Sequence, residues 1–290
     1  MKKTRKYLSL WAIGAAAVIT FGTLTAATYA WFSSNREVET EKVTSRTGSA
    51  NVELQISRTG GDNFQPKKDS SGVYYAPLKG SRELPFEKEP VLMPVSTADL
   101  KTFVSNSMTN NGYAENFSIT TDESLYYHDT IYLRAVGDGT LPAGTKMALY
   151  LDNIKDAPIV GPTGAALLTA ARLGLRFSDG SFKILTLSTV NQGEGNTRPG
   201  GVPLKKGQVL TADAAGKVAA AADPAVYLED VQIPADGSAA KESLAVLTLN
   251  QIYRLDVYFY LEGCDPDCLS ERVGMKDATL NLSFFGVLSS

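Results

Sequence analysis

Apolar and polar residues alternate along several stretches of this chain. A period of two places successive side chains on opposite faces of a strand. Six stretches follow the pattern, with the apolar members Val52, Leu54 and Ile56; Ile131, Leu133 and Ala135; Met147, Leu149 and Leu151; Leu173, Leu175 and Phe177; Leu255, Val257, Phe259 and Leu261; and Leu280, Leu282 and Phe284. Each predicts a strand with one buried and one solvated face, which is typical of antiparallel sheets.

Helical periodicity is scarce, and Gly, Pro, Asp and Asn separate the alternating stretches. One short helix is predicted over Thr97–Asn106, with Ser96 or Thr97 as its N-cap and Leu100 and Phe103 on its buried face. Since helices and strands do not alternate regularly, a parallel α/β sheet is disfavoured. The pattern predicts an all-β chain of antiparallel strands, a sandwich or jelly roll, with one or two short helices.

The stretch 191–241 differs from the rest of the chain. It is rich in turn residues, and Lys217–Ala222 is almost entirely alanine and valine. We interpret it as an insertion in a β-sandwich domain that spans residues 49–290. Within the insertion we expect a long hairpin that includes a strand over Gly207–Thr211.

The first thirty residues have the pattern of an export signal. Residues 1–6 are basic, and Tyr7–Asn35 carries no charge. An apolar stretch follows the basic residues and ends in small residues, which predicts a signal peptide over 1–30 with cleavage between Ala30 and Trp31. The uncharged stretch is also long enough for a retained membrane anchor, and this alternative stays open.

Composition excludes several function classes. His128 is the one histidine in 290 residues, so sites that need two or more histidines are excluded. After removal of residues 1–30 the chain keeps 24 basic and 31 acidic residues, and this acidity disfavours nucleic-acid binding. The chain contains no GxGxxG, Walker, GxSxG or HExxH motif. We therefore expect a protein that is not an enzyme and needs no cofactor, and we interpret His128 as a surface or hydrogen-bonding residue.

One acidic loop after the Leu255–Leu261 stretch carries two candidate sites. Glu262, Asp265 and Asp267 offer hard oxygen ligands at short spacing, which makes them a calcium candidate, although a solvated acidic turn explains the same residues. Cys264 and Cys268 flank the same loop and are candidates for a disulfide in an exported protein. Two reduced cysteines or an intermolecular link are the alternatives.

Tyrosines recur in pairs: Tyr74 and Tyr75, Tyr126 and Tyr127, and Tyr258 and Tyr260. Tyrosine is favoured at protein interfaces because it buries a large area and keeps a polar tip. It is equally a good strand residue. The sequence leaves both interpretations open.

Three segments near the amino end resemble TasA-like and camelysin-like proteins. They are Thr28-Tyr29-Ala30-Trp31-Phe32-Ser33, Glu37-Val38-Glu39-Thr40 and Thr47-Gly48-Ser49-Ala50-Asn51-Val52-Glu53-Leu54. Those proteins are exported by Gram-positive bacteria through a signal peptidase of the SipW type. The resemblance implies a jelly-roll-like antiparallel β-sandwich, a SipW-type peptidase as a partner during export, and an extracellular or cell-surface location. It covers the first 55 or so residues best and continues in short patches.

From this resemblance we expect a secreted structural protein, a subunit of surface or biofilm-matrix fibres. Subunits would join when the extended N-terminal segment, residues 31–48, adds a strand to a neighbour's sheet. We expect Trp31–Arg46 to be the donor, anchored by Trp31 and Phe32, and dispensable for the stability of the monomer. The alternatives are a host- or glycan-binding surface module and a camelysin-like surface protease. The predicted contact with a membrane is through the uncleaved leader alone.

Overall fold

The computed structural model describes residues 38–40, 42–47, 51–77, 94–106, 117–152, 159–160, 170–187, 207–233, 242–265, 268, 278–280 and 282–289. These residues form mostly antiparallel sheets, as predicted. Three 3-10 helices of three residues each connect the strands: Gly61–Asn63, Glu123–Leu125 and Leu228–Asp230. No helix of seven or more residues occurs in this part of the chain. None of its helices is long and apolar enough to cross a bilayer.

The described residues contain twenty strands. In chain order these are β1 Val38–Thr40, β2 Lys42–Thr47, β3 Val52–Ser57, β4 Lys67–Lys68, β5 Tyr74–Pro77, β6 Pro94–Ser96, β7 Phe103–Asn106, β8 Phe117–Thr120, β9 Tyr127–Gly137, β10 Lys146–Leu151, β11 Ile159–Val160, β12 Ala171–Phe177, β13 Phe182–Thr186, β14 Gln208–Ala212, β15 Val218–Ala222, β16 Val226–Tyr227, β17 Ala245–Thr248, β18 Ile252–Glu262, β19 Ala278–Leu280 and β20 Ser283–Leu288.

Two large sheets contain most of these strands. The six-stranded sheet has the order β17-β10-β20-β2-β5-β4. The nine-stranded sheet has the order β16-β13-β12-β18-β6-β7-β8. Strand β9 also pairs with β18, and β3 pairs with β9, so both belong to this sheet. Two smaller sheets, β1-β19-β11 and β14-β15, complete the described part. The long strand β18 lies at the centre of the nine-stranded sheet, because β12, β9 and β6 all pair with it.

The main hydrophobic core draws side chains from both large sheets. All the alternating apolar residues of β3, β9, β10, β12 and β18 that the sequence pointed to are buried in it. The six-stranded sheet contributes the residues of β10 together with Leu247 of β17 and Phe284 of β20, and the nine-stranded sheet contributes those of β3, β9, β12 and β18. Burial of this apolar area at about 25 cal/mol per Å² is the main force that holds the two sheets together.

A second, smaller core covers the opposite face of the nine-stranded sheet. Its buried members are Val95, Leu100, Phe103, Tyr126, Ile184, Tyr258 and Tyr260. The prediction that each strand has a solvated face is therefore wrong for the second half of β18, whose two faces are both buried. Gly174 of β12 makes room for this cover, since a Cβ there would lie 2.5 Å from Leu100 Cδ2.

The predicted helix Thr97–Asn106 is also wrong. Thr97 Oγ1 accepts the N–H of Leu100 at 3.0 Å, and Asp99 Oδ1 accepts the N–H groups of Lys101 and Thr102 at 2.9 Å each. These local bonds satisfy the backbone without a helix. Leu100 adopts a φ of 53°, which is incompatible with a continuing right-handed helix. The chain then enters β7 at Phe103.

The hairpin expected within residues 191–241 is present. Its strands, β14 and β15, pair antiparallel, and β14 coincides with the predicted strand to within one residue at each end. The hairpin is joined to the nine-stranded sheet by the N–H of Leu210, which donates to Ser96 Oγ at 2.8 Å. Val209 and Leu210 are buried there.

Candidate functional site

The N-terminal strands pair within sheets of their own chain, β1 at the edge of the three-stranded sheet and β2 in the interior of the six-stranded sheet. β1 pairs in parallel with β19, and β2 lies between β20, which is parallel, and β5, which is antiparallel. Thr44 and Ser45 are matched on both sides, to Ser283 and Phe284 of β20 and to Tyr75 and Tyr74 of β5. The expectation that Trp31–Arg46 is dispensable for stability does not agree with this position, because β2 is an interior strand.

Side chains of β2 strengthen its attachment to β3. Ser45 is buried, and its hydroxyl donates to the carbonyl of Leu54. The Thr47 hydroxyl donates to the carbonyl of Val52 at 2.7 Å. The chain therefore passes from the six-stranded to the nine-stranded sheet between β2 and β3, with both strands bonded to each other across the connection.

Ala30, Trp31 and Phe32 lie outside the described residues. Cleavage after Ala30 and anchoring by the two aromatic side chains therefore stay predictions. The same holds for the division of the chain at residues 30 and 48.

The two edges of the six-stranded sheet differ in chemistry. Edge strand β4 consists of the exposed residues Lys67 and Lys68. Edge strand β17 carries no charged residue, and its Val246 is 44% exposed. Lysines on an edge oppose pairing with another strand, whereas an uncharged edge with an exposed β-branched residue permits it. Among the described residues, the other exposed large apolar ones are Ile119 on β8 and Tyr227 on β16, the strands at the two ends of the run β16-β13-β12-β18-β6-β7-β8.

Glu262, the last residue of β18, and Asp265, in the turn that follows, are buried rather than solvated. Glu262 is 2% exposed, accepts the backbone N–H of Cys264 at 3.0 Å and is hydrogen-bonded to Ser96. Burial raises the pKa of Glu262 to about 7, against the lowering effect of the Ser96 bond and of Arg172. Asp265 Oδ2 lies 2.8 Å from Arg172 Nη2.

This arrangement bears on the calcium candidate. Asp267 lies outside the described residues, and the described part of the chain contains no group of three acidic, cysteine or histidine side chains placed to hold a metal ion. Asp265 is already paired with Arg172. Calcium binding by Glu262, Asp265 and Asp267 stays a prediction.

Both predicted disulfide partners lie at this loop. Cys264 Sγ is 3.5 Å from Ser96 Oγ, and the N–H of Cys268 donates to the carbonyl of Asp265 at 2.9 Å. Cys268 is buried and Cys264 partly buried. Both side chains are thiols in this structure, so the disulfide stays a prediction about the oxidised protein.

Most of the paired tyrosines are core residues. Tyr126, Tyr127, Tyr258 and Tyr260 are each at most 8% exposed. Tyr126 stacks on Phe103 with ring centroids 4.2 Å apart. For these four residues the structure favours the strand and core interpretation over an outward aromatic surface.

His128 lies on the face of the nine-stranded sheet that the second core covers. Its ring is stacked on Tyr258, with 4.5 Å between centroids and 2° between planes. The neighbouring Asp129 points to the opposite face, where its carboxylate pairs with Arg58 Nη1 at 2.6 Å. Asp129 therefore does not orient the imidazole, as a catalytic histidine would require.

Two carboxylates lie near His128, Asp256 with Oδ1 3.6 Å from Nε2 and Glu123 with Oε1 3.7 Å from Nδ1, and sequence reasoning missed both. Thr130 Oγ1 donates to Asp256 at 2.7 Å, and Arg254 binds both carboxylate oxygens at 2.9 and 3.0 Å. Burial would raise the pKa of Asp256, but the contacts with His128, Thr130 and Arg254 outweigh it and lower the pKa to about 2. The proximity of His128 and Asp256 depends on the register of β9 and β18. The alternation of apolar residues does not specify that register, so no signal for it was present in the sequence.

Comparison with known proteins adds no family assignment. No family model matches the chain, and no match was found among the curated proteins or among the solved structures.

Proposed function

We propose that this protein is a secreted structural subunit of the TasA-like class, with a jelly-roll-like β-sandwich fold, that self-associates into surface or biofilm-matrix fibres. It acts through assembly rather than catalysis, outside a Gram-positive cell, after removal of its leader by a SipW-type peptidase. The resemblance of residues 28–54 to that class motivates the proposal, and the position of β2 supports it.

The placement of β2 is the observation that carries this proposal. A strand near the amino end is held between β20 and β5, which follow it in sequence, and it pairs in parallel with a strand about 240 residues later in the chain. Only residues 48–50 separate β2 from the described start of the next segment. If two copies exchange this strand, every main-chain pair is kept, so the exchange creates no unpaired groups.

The donated segment is therefore assigned to Val38–Thr47 rather than to Trp31–Arg46. A donated strand must pair with strands of the neighbour that would otherwise lack a partner. Strand β2 has this position, because β20 and β5 lie on either side of it in the six-stranded sheet. Trp31 and Phe32 keep the proposed role of anchoring the segment on the neighbouring subunit.

The uncharged edge at β17 offers a second contact for association. Val246 is 44% exposed there, and among the described strands β17 pairs with β10 alone. A lysine on such an edge should weaken pairing with another copy without disturbing the core.

Sedimentation velocity and negative-stain electron microscopy of residues 31–290 test the proposal. We expect filaments from the wild type and weaker association from Val246→Lys. Asn63→Lys is the matched control, because it adds the same charge at an exposed position in the 3-10 helix Gly61–Asn63. A wild type that stays monomeric across concentration, salt and pH would contradict the proposed function.

A further inference from the structure

The hairpin of β14 and β15 has one edge turned toward the nine-stranded sheet and one edge at the surface. β14 lies against β6 and β7, where the N–H of Leu210 donates to Ser96 Oγ at 2.8 Å. β15 lies against β8, and among the described strands it pairs with β14 alone. Its residues Ala220 and Ala222 are exposed. The far side of β15 is therefore a sheet edge at the surface.

The main-chain groups of β15 can be assigned to its two sides. In an antiparallel hairpin, successive residues direct their N–H and C=O groups alternately toward the partner strand and away from it. The N–H of Asp213 donates to the carbonyl of Lys217 at 2.8 Å, so this pair is bonded across the hairpin. Leu210 directs its N–H away from β15, and its register partner there is Ala220. By the same alternation, three residues of β15 direct both groups toward the surface edge: Val218, Ala220 and Ala222. Within the described part of the chain, no hydrogen bond satisfies these groups.

The side chains of this edge do not oppose pairing. Sheet edges are usually protected by lysines, by proline or by a bulge. Val218–Ala222 has none of these, since it consists of one valine and four alanines and pairs with β14 in continuous register. Charged residues lie at the two ends, with Lys217 before the strand and Asp223 after it. Lys217 is exposed, and Asp223 is partly exposed.

We propose that β15 pairs antiparallel with β15 of a second copy of this chain, across a two-fold axis at Ala220. In this register Val218 lies opposite the partner's Ala222, so all three outward-directed residues are matched. Lys217 then lies opposite the partner's Asp223, and the two-fold axis repeats this pair at the other end. A shift of two residues in either direction leaves one outward-directed residue unmatched and separates the charges.

The second copy is the occupant because the edge is its own complement in both hydrogen bonds and charge. Five residues from each copy bury less than the area of about 1,200–2,000 Å² that is typical of a stable interface. We therefore expect a weak dimer, with a Kd on the order of 0.1 mM. This dimer does not rest on the proposed fibre assembly, since β2 and β17 belong to the six-stranded sheet.

Amide hydrogen exchange of residues 31–290, measured by NMR at about 10 µM and about 1 mM, tests the pairing. The amides of Val218, Ala220 and Ala222 report the edge, and those of Ala219 and Ala221, which point to β14, report the hairpin itself. We expect the edge amides to exchange about fourfold more slowly at the higher concentration, the ratio of monomer fractions for that Kd. The hairpin amides should not change.

Two pairs of variants isolate the edge. Ala220→Pro removes an outward N–H and keeps the bonds to β14, so the concentration dependence at Val218 and Ala222 should disappear. Ala214→Pro is the matched control and should keep it, because Ala214 is the second residue of a turn that the N–H of Gly216 closes onto the carbonyl of Asp213 at 2.9 Å.

The end charges give the second pair. Lys217→Asp places like charges opposite each other and should weaken the dimer, and adding Asp223→Lys should restore it. Val246→Lys, which changes the edge at β17, should leave the pairing of β15 unchanged, so failure of the fibre proposal and failure of this dimer are distinguishable.

Slow exchange of the edge amides at both concentrations would show that another part of the chain covers β15, and it would overturn the proposal. Fast exchange at both concentrations would show that the edge stays open in the purified protein, and it would overturn the proposal as well. So would a charge-swapped variant that dimerises no better than Lys217→Asp.

Discussion

Arg172 and Asp265 form an ion pair inside the protein, with Nη2 2.8 Å from Oδ2 and side chains that are 2% and 0% exposed. Arg172 comes from β12, where alternation assigned it to a solvated face, and Asp265 comes from the turn after β18. Burial alone would lower the pKa of Arg172, but the carboxylates of Asp265 and Glu262 raise it. The pair therefore joins the end of the central strand to its neighbour by charge as well as by main-chain bonds.

Removing one partner of this pair should be costly. In Asp265→Asn the guanidinium of Arg172 stays buried but loses the carboxylate that lies 2.8 Å from it, and we expect a loss of about 3 kcal/mol in the free energy of unfolding at neutral pH. Urea denaturation measures the loss. The control Asp62→Asn changes an exposed aspartate and should stay within about 0.5 kcal/mol of the wild type. Equal effects of the two substitutions would show that the buried pair contributes nothing.

Glu262 should make stability depend on pH in an unusual direction. Its pKa is raised from 4.5 to about 7 by burial, so the folded state binds this proton more tightly than the unfolded state. The contribution of Glu262 to stability is therefore favourable below pH 4.5, declines as the pH rises, and is fully lost above about 7.

Glu262→Gln isolates this effect. At about pH 5 the variant should resemble the wild type, and at about pH 8 it should be more stable by about 3 kcal/mol, since a pKa unit corresponds to about 1.4 kcal/mol. Urea denaturation at both pH values measures the difference, with Glu229→Gln as the exposed control. A variant that is no more stable at the higher pH would contradict the burial of an ionisable carboxyl at this position.

Gly174 should be needed for the packing of Leu100. A Cβ at Gly174 would lie 2.5 and 2.9 Å from the two Cδ atoms of Leu100, which is 1% exposed. We expect Gly174→Ala to cost about 1–3 kcal/mol through overpacking. The double variant Gly174→Ala with Leu100→Ala should lose about 1 kcal/mol less stability than the sum of the losses of the two single variants. Strict additivity would place the cause of the Gly174 effect elsewhere.

Strand β2 should be required for the stability of the monomer. Thr44 is paired on both sides, so a proline at this position removes a main-chain hydrogen bond from the sheet interior. We expect Thr44→Pro to lower the free energy of unfolding by about 1–3 kcal/mol. Lys67→Pro makes the same change on the edge strand β4 and should cost less. A Thr44→Pro variant as stable as Lys67→Pro would show that β2 does not contribute to the stability of the monomer.

The core strands could be predicted because their apolar residues face one continuous interior. The alternation of Leu54, Leu133 and Leu255 reports burial directly, since each strand repeats the same two-residue period. The second core gave no such signal. Tyr258 and Tyr260 have polar tips and are common on solvated strand faces, so sequence alone does not show that β6, β7 and the chain around Leu100 cover them.

Other features depend on contacts between distant parts of the chain. The helix predicted at Thr97 does not form, because Thr97 and Asp99 accept backbone N–H groups in a turn that leads directly into β7. The pairing of β2 with β20 and of Arg172 with Asp265 joins residues far apart in sequence, and a period of two does not specify which strands become neighbours. The facing of His128 and Asp256 has the same origin.

Disulfide trapping between two different chains tests the central claim most directly. Arg46 of β2 and Phe285 of β20 are register partners. Chains with Arg46→Cys are mixed with chains carrying Phe285→Cys, assembled and oxidised, and chains with Arg46→Cys mixed with wild type control for Cys264 and Cys268. If subunits exchange the N-terminal strand, dimers that contain one chain of each variant should dominate and be absent from the control. Filaments that form without this mixed dimer would contradict strand exchange through β2.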